Sequence, residues 1–101
     1  MANFFNITTE LTQELVAAGG NVNVEKISLT NVHADTPCDV DLYIEKKLTG
    51  KFYLLKKTLL PIGATLIYDD IRFNTRIGGF SLYIKLTKSA SETPTVDVII
   101  N

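Results

Sequence analysis

The sequence predicts an all-β fold: an antiparallel β-sandwich, jelly-roll or immunoglobulin-like, of about seven to eight short strands. Three observations predict it. Short apolar runs with period-two alternation recur at roughly 8–12-residue spacing. Turn-forming residues separate them, at Gly19-Gly20-Asn21, Pro61-Ile62-Gly63 and Gly78-Gly79. No sustained helical stripe stands between them, so the strands are expected to be antiparallel neighbours rather than parallel strands joined by crossover helices.

In chain order, Asn3 to Thr8 reads as an edge strand or an arm, with Phe5 and Ile7 on one face. Residues 9–18 admit two readings. Leu11, Leu15 and Ala18 fit a helical stripe with Thr9 as its cap and Gly19-Gly20 as its stop. Alternation of Leu11, Gln13 and Leu15 fits a strand, and the surrounding pattern favours the strand. Residues 1–20 as a whole are an N-terminal arm or edge strand of one domain spanning 1–101. In the next stretch, Val22 and Val24 share a face, as do Ile27 and Leu29. The phase changes at Glu25-Lys26, which predicts a one-residue bulge.

Residues 33–38 are a polar loop. Val40, Leu42 and Ile44 then alternate with Asp39, Asp41, Tyr43 and Glu45, the pattern of a half-buried strand. Lys46 to Gly50 reads as a hairpin connection into Phe52.

The densest apolar segment runs from Phe52 to Tyr68 and reads as two core strands around a corner at Pro61-Ile62-Gly63. Pro61 fixes φ and pushes Leu60 toward extended backbone, and Gly63 accepts positive φ at no steric cost. Adjacent Leu54 and Leu55 break the alternation, so either a bulge lies there or both faces are partly covered. Beyond the corner, Ala64, Leu66 and Tyr68 share one face, with Thr65, Ile67 and Asp69 on the other. Ile71 to Asn74 is a short extended piece. Phe80, Leu82, Ile84 and Leu86 alternate cleanly with Ser81, Tyr83, Lys85 and Thr87. After a loop at 89–94, Val96, Val98 and Ile100 form a last strand.

Composition narrows the functional classes. With 101 residues the chain suits one domain that builds a core without disulfides or metal. Its net charge of −1 and its scattered lysines and arginines argue against nucleic acid as a partner. Cys38 is the single cysteine, which excludes an internal disulfide. No apolar run reaches the ~20 residues of a membrane helix, and no basic-then-apolar leader opens the chain, so neither membrane nor secretion is expected.

Catalytic chemistry has little to stand on. His33, Asp35, Cys38, Asp39 and Asp41 lie close in sequence, but zinc sites repeat their Cys and His ligands. Asp39 and Asp41 share a strand face and would bind calcium weakly at best. Asp69-Asp70 reads as a turn cap. The sole histidine has no evident nucleophile partner, so no enzyme activity, metal or cofactor is expected. Tyr43, Tyr53, Tyr68 and Tyr83 admit a sugar-stacking face, against the plainer reading of sheet residues with a wet hydroxyl.

Three blocks recur in a telling order. Ile27-Ser-Leu-Thr-Asn31 precedes Asp39-Val-Asp-Leu42. Tyr53-Leu-Leu-Lys-Lys then runs to Pro61-Ile-Gly-Ala-Thr-Leu66. Leu82-Tyr-Ile-Lys and Val96-Asp-Val-Ile-Ile100 close the series. In this order the blocks resemble small β-sandwich virion proteins of tailed bacteriophages, those of marine cyanophages especially, over residues 22–100. The resemblance implies a non-enzymatic structural role in capsid decoration, neck, tail or fibre, in a virion assembled in the host cytoplasm. Its implied partners are further copies of the chain, as a homo-oligomer, and other virion proteins. Phe4, Phe5, Tyr43, Tyr83 and Ile99 are the candidate interface residues. A carbohydrate- or host-surface-binding module, using the tyrosine face on a glycan, is the alternative.

Overall fold

The computed structural model describes residues 3–34, 36–46, 49–76, 79–88 and 94–101. Among the described residues ten strands follow one another: β1 (Asn3–Ile7), β2 (Gln13–Val16), β3 (Asn23–Val24), β4 (Ile27–Asn31), β5 (Cys38–Lys46), β6 (Gly50–Leu60), β7 (Thr65–Tyr68), β8 (Phe73–Asn74), β9 (Phe80–Lys88) and β10 (Val96–Ile100). Every pairing is antiparallel. Eight strands build two four-stranded sheets, ordered β1-β10-β4-β7 and β2-β9-β5-β6. The two-residue strands β3 and β8 pair separately as a small ribbon, which accounts for the count above the expected seven to eight.

The sheet orders decide between the two sandwich types. The chain changes sheet between β1 and β2, β4 and β5, β6 and β7, and β9 and β10. Each of those pairs occupies the same rank in its own sheet. Two four-stranded sheets wound this way are a jelly roll.

Strict alternation drives the packing. Ile27, Leu29, Val96, Val98 and Ile100 from the first sheet meet Val40, Leu42, Leu82, Ile84 and Leu86 from the second, and all are buried. Burial of each such side chain contributes roughly 1.5–3 kcal/mol.

The topology settles two expectations and corrects a third. Residues 13–16 are a strand, and Leu11 is exposed rather than part of a buried stripe. Thr9 does cap, but it caps a turn: its Oγ1 accepts a hydrogen bond from the Leu11 amide at 3.1 Å. The phase change at Glu25-Lys26 is the expected one-residue bulge, with both residues opposite Asn101. It marks the passage from the β3–β8 ribbon into the first sheet, held where both amides donate to the Asn101 carbonyl at 2.7 and 3.0 Å. Phe52–Tyr68, by contrast, is no pair of core strands, because β6 and β7 are outer strands of different sheets.

The corner itself forms for the expected reason. The Ala64 amide donates to the Pro61 carbonyl at 3.1 Å, and Gly63 takes φ 71°. Leu54 is skipped where Leu42 pairs Leu55 and Tyr43 pairs Tyr53, so the bulge reading of Leu54-Leu55 holds. A second irregularity follows at Lys56-Lys57, where Lys57 has φ 47° and its amide donates to Asp41 Oδ1 at 2.7 Å.

Candidate functional site: two outward rows on opposite faces

Strand register turns isolated residues into rows. On the outer face of the β2-β9-β5-β6 sheet, Tyr53 pairs Tyr43, Tyr43 pairs Tyr83, and Tyr83 pairs Glu14. One row therefore crosses all four strands. Tyr43 and Tyr83 stack at 5.3 Å with an 18° interplanar angle, and Tyr43 meets Tyr53 at 5.1 Å, tilted by 46°. Lys51 Nζ lies 5.0 Å from the Tyr43 ring centre, and Lys56 Nζ lies 4.4 Å from that of Tyr53.

The row's chemistry follows from this stacking. Sugars bind aromatic residues through ring faces, and here tyrosines and lysine ammoniums already occupy them. Tyr43 is only 6% exposed. The Tyr83 hydroxyl donates to Glu14 Oε2 at 3.0 Å. That hydrogen bond, followed by partial burial and the Glu14 charge, raises the Tyr83 pKa above the ordinary phenol value. Tyr68 does not join the row, because it packs toward the core from β7.

The outer face of the β1-β10-β4-β7 sheet carries a different row. Phe4 pairs Ile99, Ile99 pairs Ser28, and Ser28 pairs Ile67. Phe4 is 72% exposed, Ile67 55% and Ile99 37%. The neighbouring row, Asn6–Asp97–Thr30–Thr65, is polar. It is tied laterally by Asn6 Nδ2 donating to Asp97 Oδ1 at 2.5 Å and by the Thr30 and Thr65 hydroxyls 2.9 Å apart. A shallow hollow of about 340 Å³ lies over β1 and β10, lined by Phe4, Phe5, Asn6, Asp97, Val98 and Ile99. Phe5 itself packs against the core from β1.

Near residues 33–41 the groups named from sequence are separated by their roles. The Cys38 side chain sits in the core, and burial, then the Asp39 charge, raises its thiol pKa. A nucleophilic cysteine needs the opposite shift. His33 Nδ1 accepts from the Thr36 amide at 3.2 Å and faces the Thr36 hydroxyl at 3.3 Å. Asp41 serves the β6 bulge, with Lys56 Nζ 3.9 Å from its Oδ2. Asp35 lies outside the described residues, as does Gly78. Among the described residues no group of three His, Cys, Asp or Glu is placed to hold a metal ion, and no helix is long and apolar enough to cross a membrane.

Asn31 is the polar residue that sequence reasoning missed. Fully buried, its Nδ2 donates to the Leu60 and Thr36 carbonyls at 3.0 and 3.1 Å, and its Oδ1 accepts the His33 amide at 2.9 Å. It ties the loop after β4 to the end of β6. One signal was available: an Asn closing an alternating strand at an otherwise apolar phase, Ile27-Ser-Leu-Thr-Asn31.

No protein-family model matches the chain, and no curated protein matches it in sequence. Among solved structures it is similar to the Yersinia pseudotuberculosis-derived mitogen, with a TM-score of 0.55 and 15% identity over 100% of this chain and 83% of that one. It is also similar to a chain in the structure of infectious bursal disease virus, Gx strain, with a TM-score of 0.50 and 13% identity. That match covers 99% of this chain and 33% of the other, so this chain spans a third of the viral chain's length. The likeness at these identities is one of fold, and fold does not carry function.

Proposed function

We propose that the chain is a non-enzymatic structural component of a bacteriophage virion, working through protein–protein contacts on its outer faces. One observation carries the reading: Phe4, Ile99 and Ile67, with Ser28 between the two isoleucines, form a largely apolar row across a whole sheet on the outward side of a jelly roll. A sheet of this kind normally turns a polar face to water. Three large apolar side chains in one outward row instead mark a surface made for contact. The sequence resemblance to virion proteins and the fold shared with a virus chain support the same reading. On this proposal the protein acts in the particle, in several copies, against itself and other virion proteins.

The glycan-binding alternative ranks below it, because the rings it needs are stacked on one another and covered by Lys51 and Lys56. The test is mass spectrometry of density-gradient-purified particles from the cells in which the protein is made. Its presence in the particle band at stoichiometric copy number is the expected result. Confinement to the soluble fraction, with glycan binding that Tyr53→Ala abolishes, would replace this reading with the alternative.

A further inference from the structure

A two-sheet sandwich has four open edges, and three of these are blunted. β6 carries Lys51, Lys56 and Lys57 and has two register breaks. β2 has four residues with a register shift between Glu14 and Val16. β7 also has four residues and runs into Asp69-Asp70. Short length, lysines and bulges are devices that stop edge-to-edge pairing. β1 has neither lysine nor bulge and is one residue longer than β2 and β7. Asn3-Phe-Phe-Asn-Ile7 holds no charge, proline or glycine, and its five residues pair β10 without a shift. Its backbone edge is open, and beside it Phe4 is among the most exposed large apolar side chains of the molecule.

We infer that β1 is a self-pairing edge: two copies of this chain join β1 to β1 antiparallel about a two-fold axis, making one eight-stranded sheet. Two properties select a second copy as the occupant. An edge that meets its own image must avoid like charges; β1 and β7 hold none, and β1 is the longer of the two and is not followed at once by an acidic pair. Directly opposed residues must also share a sheet face. Setting Phe4 against the partner's Phe4 meets that condition and joins the two apolar rows end to end, from Ile67 of one copy to Ile67 of the other. Shifting by one pair sets Phe4 against Asn6 and breaks the row. This inference deepens the particle-component reading, and rests on it for the supply of neighbouring copies. In this register Asn3, Phe4 and Phe5 of each copy face one another, and an edge contact that short buries less than the ~1,200 Å² of a standard stable interface. Pairing is therefore weak for the free protein and strengthened where copies are held together.

Sedimentation equilibrium over a concentration series, up to about millimolar, tests the pairing. For the unmodified chain the weight-average mass should rise toward twice the monomer value. Phe4→Lys should weaken association at least tenfold, and Phe4→Ser should do so without adding charge, both with unchanged thermal unfolding. Ile67→Lys, on the same face but far from the edge, should associate like the unmodified chain. Phe4→Cys gives a second readout independent of affinity. Opposed strand residues stand about 4.5–5.5 Å apart, within disulfide reach, and the native Cys38 is buried. With glutathione disulfide as oxidant, Phe4→Cys should cross-link to a dimer severalfold faster than Asn6→Cys. A monomer at every concentration with no preferential cross-link overturns the inference, and so does a dimer or higher oligomer indifferent to Phe4→Lys and Phe4→Ser. The particle-component reading has its own fate: the protein found in virions but monomeric in solution and unlinked at Phe4 sinks the pairing alone. Pairing through Phe4 by a protein absent from virions sinks that reading alone.

Discussion

Asn31 and Cys38 show how single residues divide the work. Asn31 is buried and polar, and its side chain bonds three backbone groups, the Thr36 and Leu60 carbonyls and the His33 amide. A buried group left unpaired costs about 1–3 kcal/mol. Asn31→Ala should therefore lower unfolding stability by about 2–3 kcal/mol, read as a fall in urea midpoint at constant slope. Cys38 is buried with a raised thiol pKa. Folded protein should resist a thiol reagent that reacts at once in denaturant. The sign of the pH effect follows: an unfolded thiol ionises near its ordinary value, about 8.5, while the folded one does not. Its stabilising contribution is complete below that value and is lost as pH rises toward the folded pKa. Cys38→Ala should flatten the alkaline decline in stability, and a decline identical to that of the unmodified protein would refute the assignment.

At the element scale, neighbouring strands give meaning to residues that their own strand leaves neutral. Tyr43 alternates with Leu42 as any outward tyrosine would. Only the register of β6 and β9 against β5 sets it between Tyr53 and Tyr83. Each aromatic contact adds about 0.5–1.5 kcal/mol beyond area burial. Tyr43 has two such contacts and is buried, whereas Tyr53 has one and is 44% exposed. Tyr43→Ala should cost about 2–4 kcal/mol and Tyr53→Ala about 1, measured by chemical denaturation. Equal costs would mean that the row is not a stabilising ladder. The bulges of β6 belong to this scale too. Adjacent Leu54-Leu55 betrayed one of them in the sequence, whereas Lys57 gave no sign of its positive φ, which arises where the Asp41 carboxylate captures its amide.

Across the whole molecule, one core joins the two sheets, with Ile84 and Leu29 fully buried on opposite sides of it. A core of this continuity unfolds as a unit. Ile84→Ala should cost about 3–4 kcal/mol, with far-UV circular dichroism and tyrosine fluorescence moving through one transition. Separate transitions would mean that the sheets fail independently. Thr75 anchors the periphery of this unit. Its amide donates to the Val22 carbonyl at 3.0 Å and its hydroxyl accepts from the Val22 amide at 3.1 Å, so the ribbon and the loop after β2 hang on one buried threonine.

Alternation along single strands was enough to establish an all-β sandwich, the inward faces of β4, β5, β9 and β10, and the turn at Pro61-Ile62-Gly63. These depend on contacts between residues a few positions apart, on side-chain period and on the φ preferences of proline and glycine, all of which are local. Which strands pair depends on partners distant in sequence. The eight-strand jelly-roll order, the outer positions of β6 and β7, the change of sheet at Glu25-Lys26, the tyrosine row and the Phe4–Ile99–Ser28–Ile67 row all come from such long-range register. Phe4 and Ile99 are written 95 positions apart (99 − 4) and become direct neighbours only when β1 and β10 pair. Composition and pattern leave those choices open because many pairings bury the same apolar faces; tertiary structure selects the one that buries them all at once and leaves β1 as the longer of two uncharged edges.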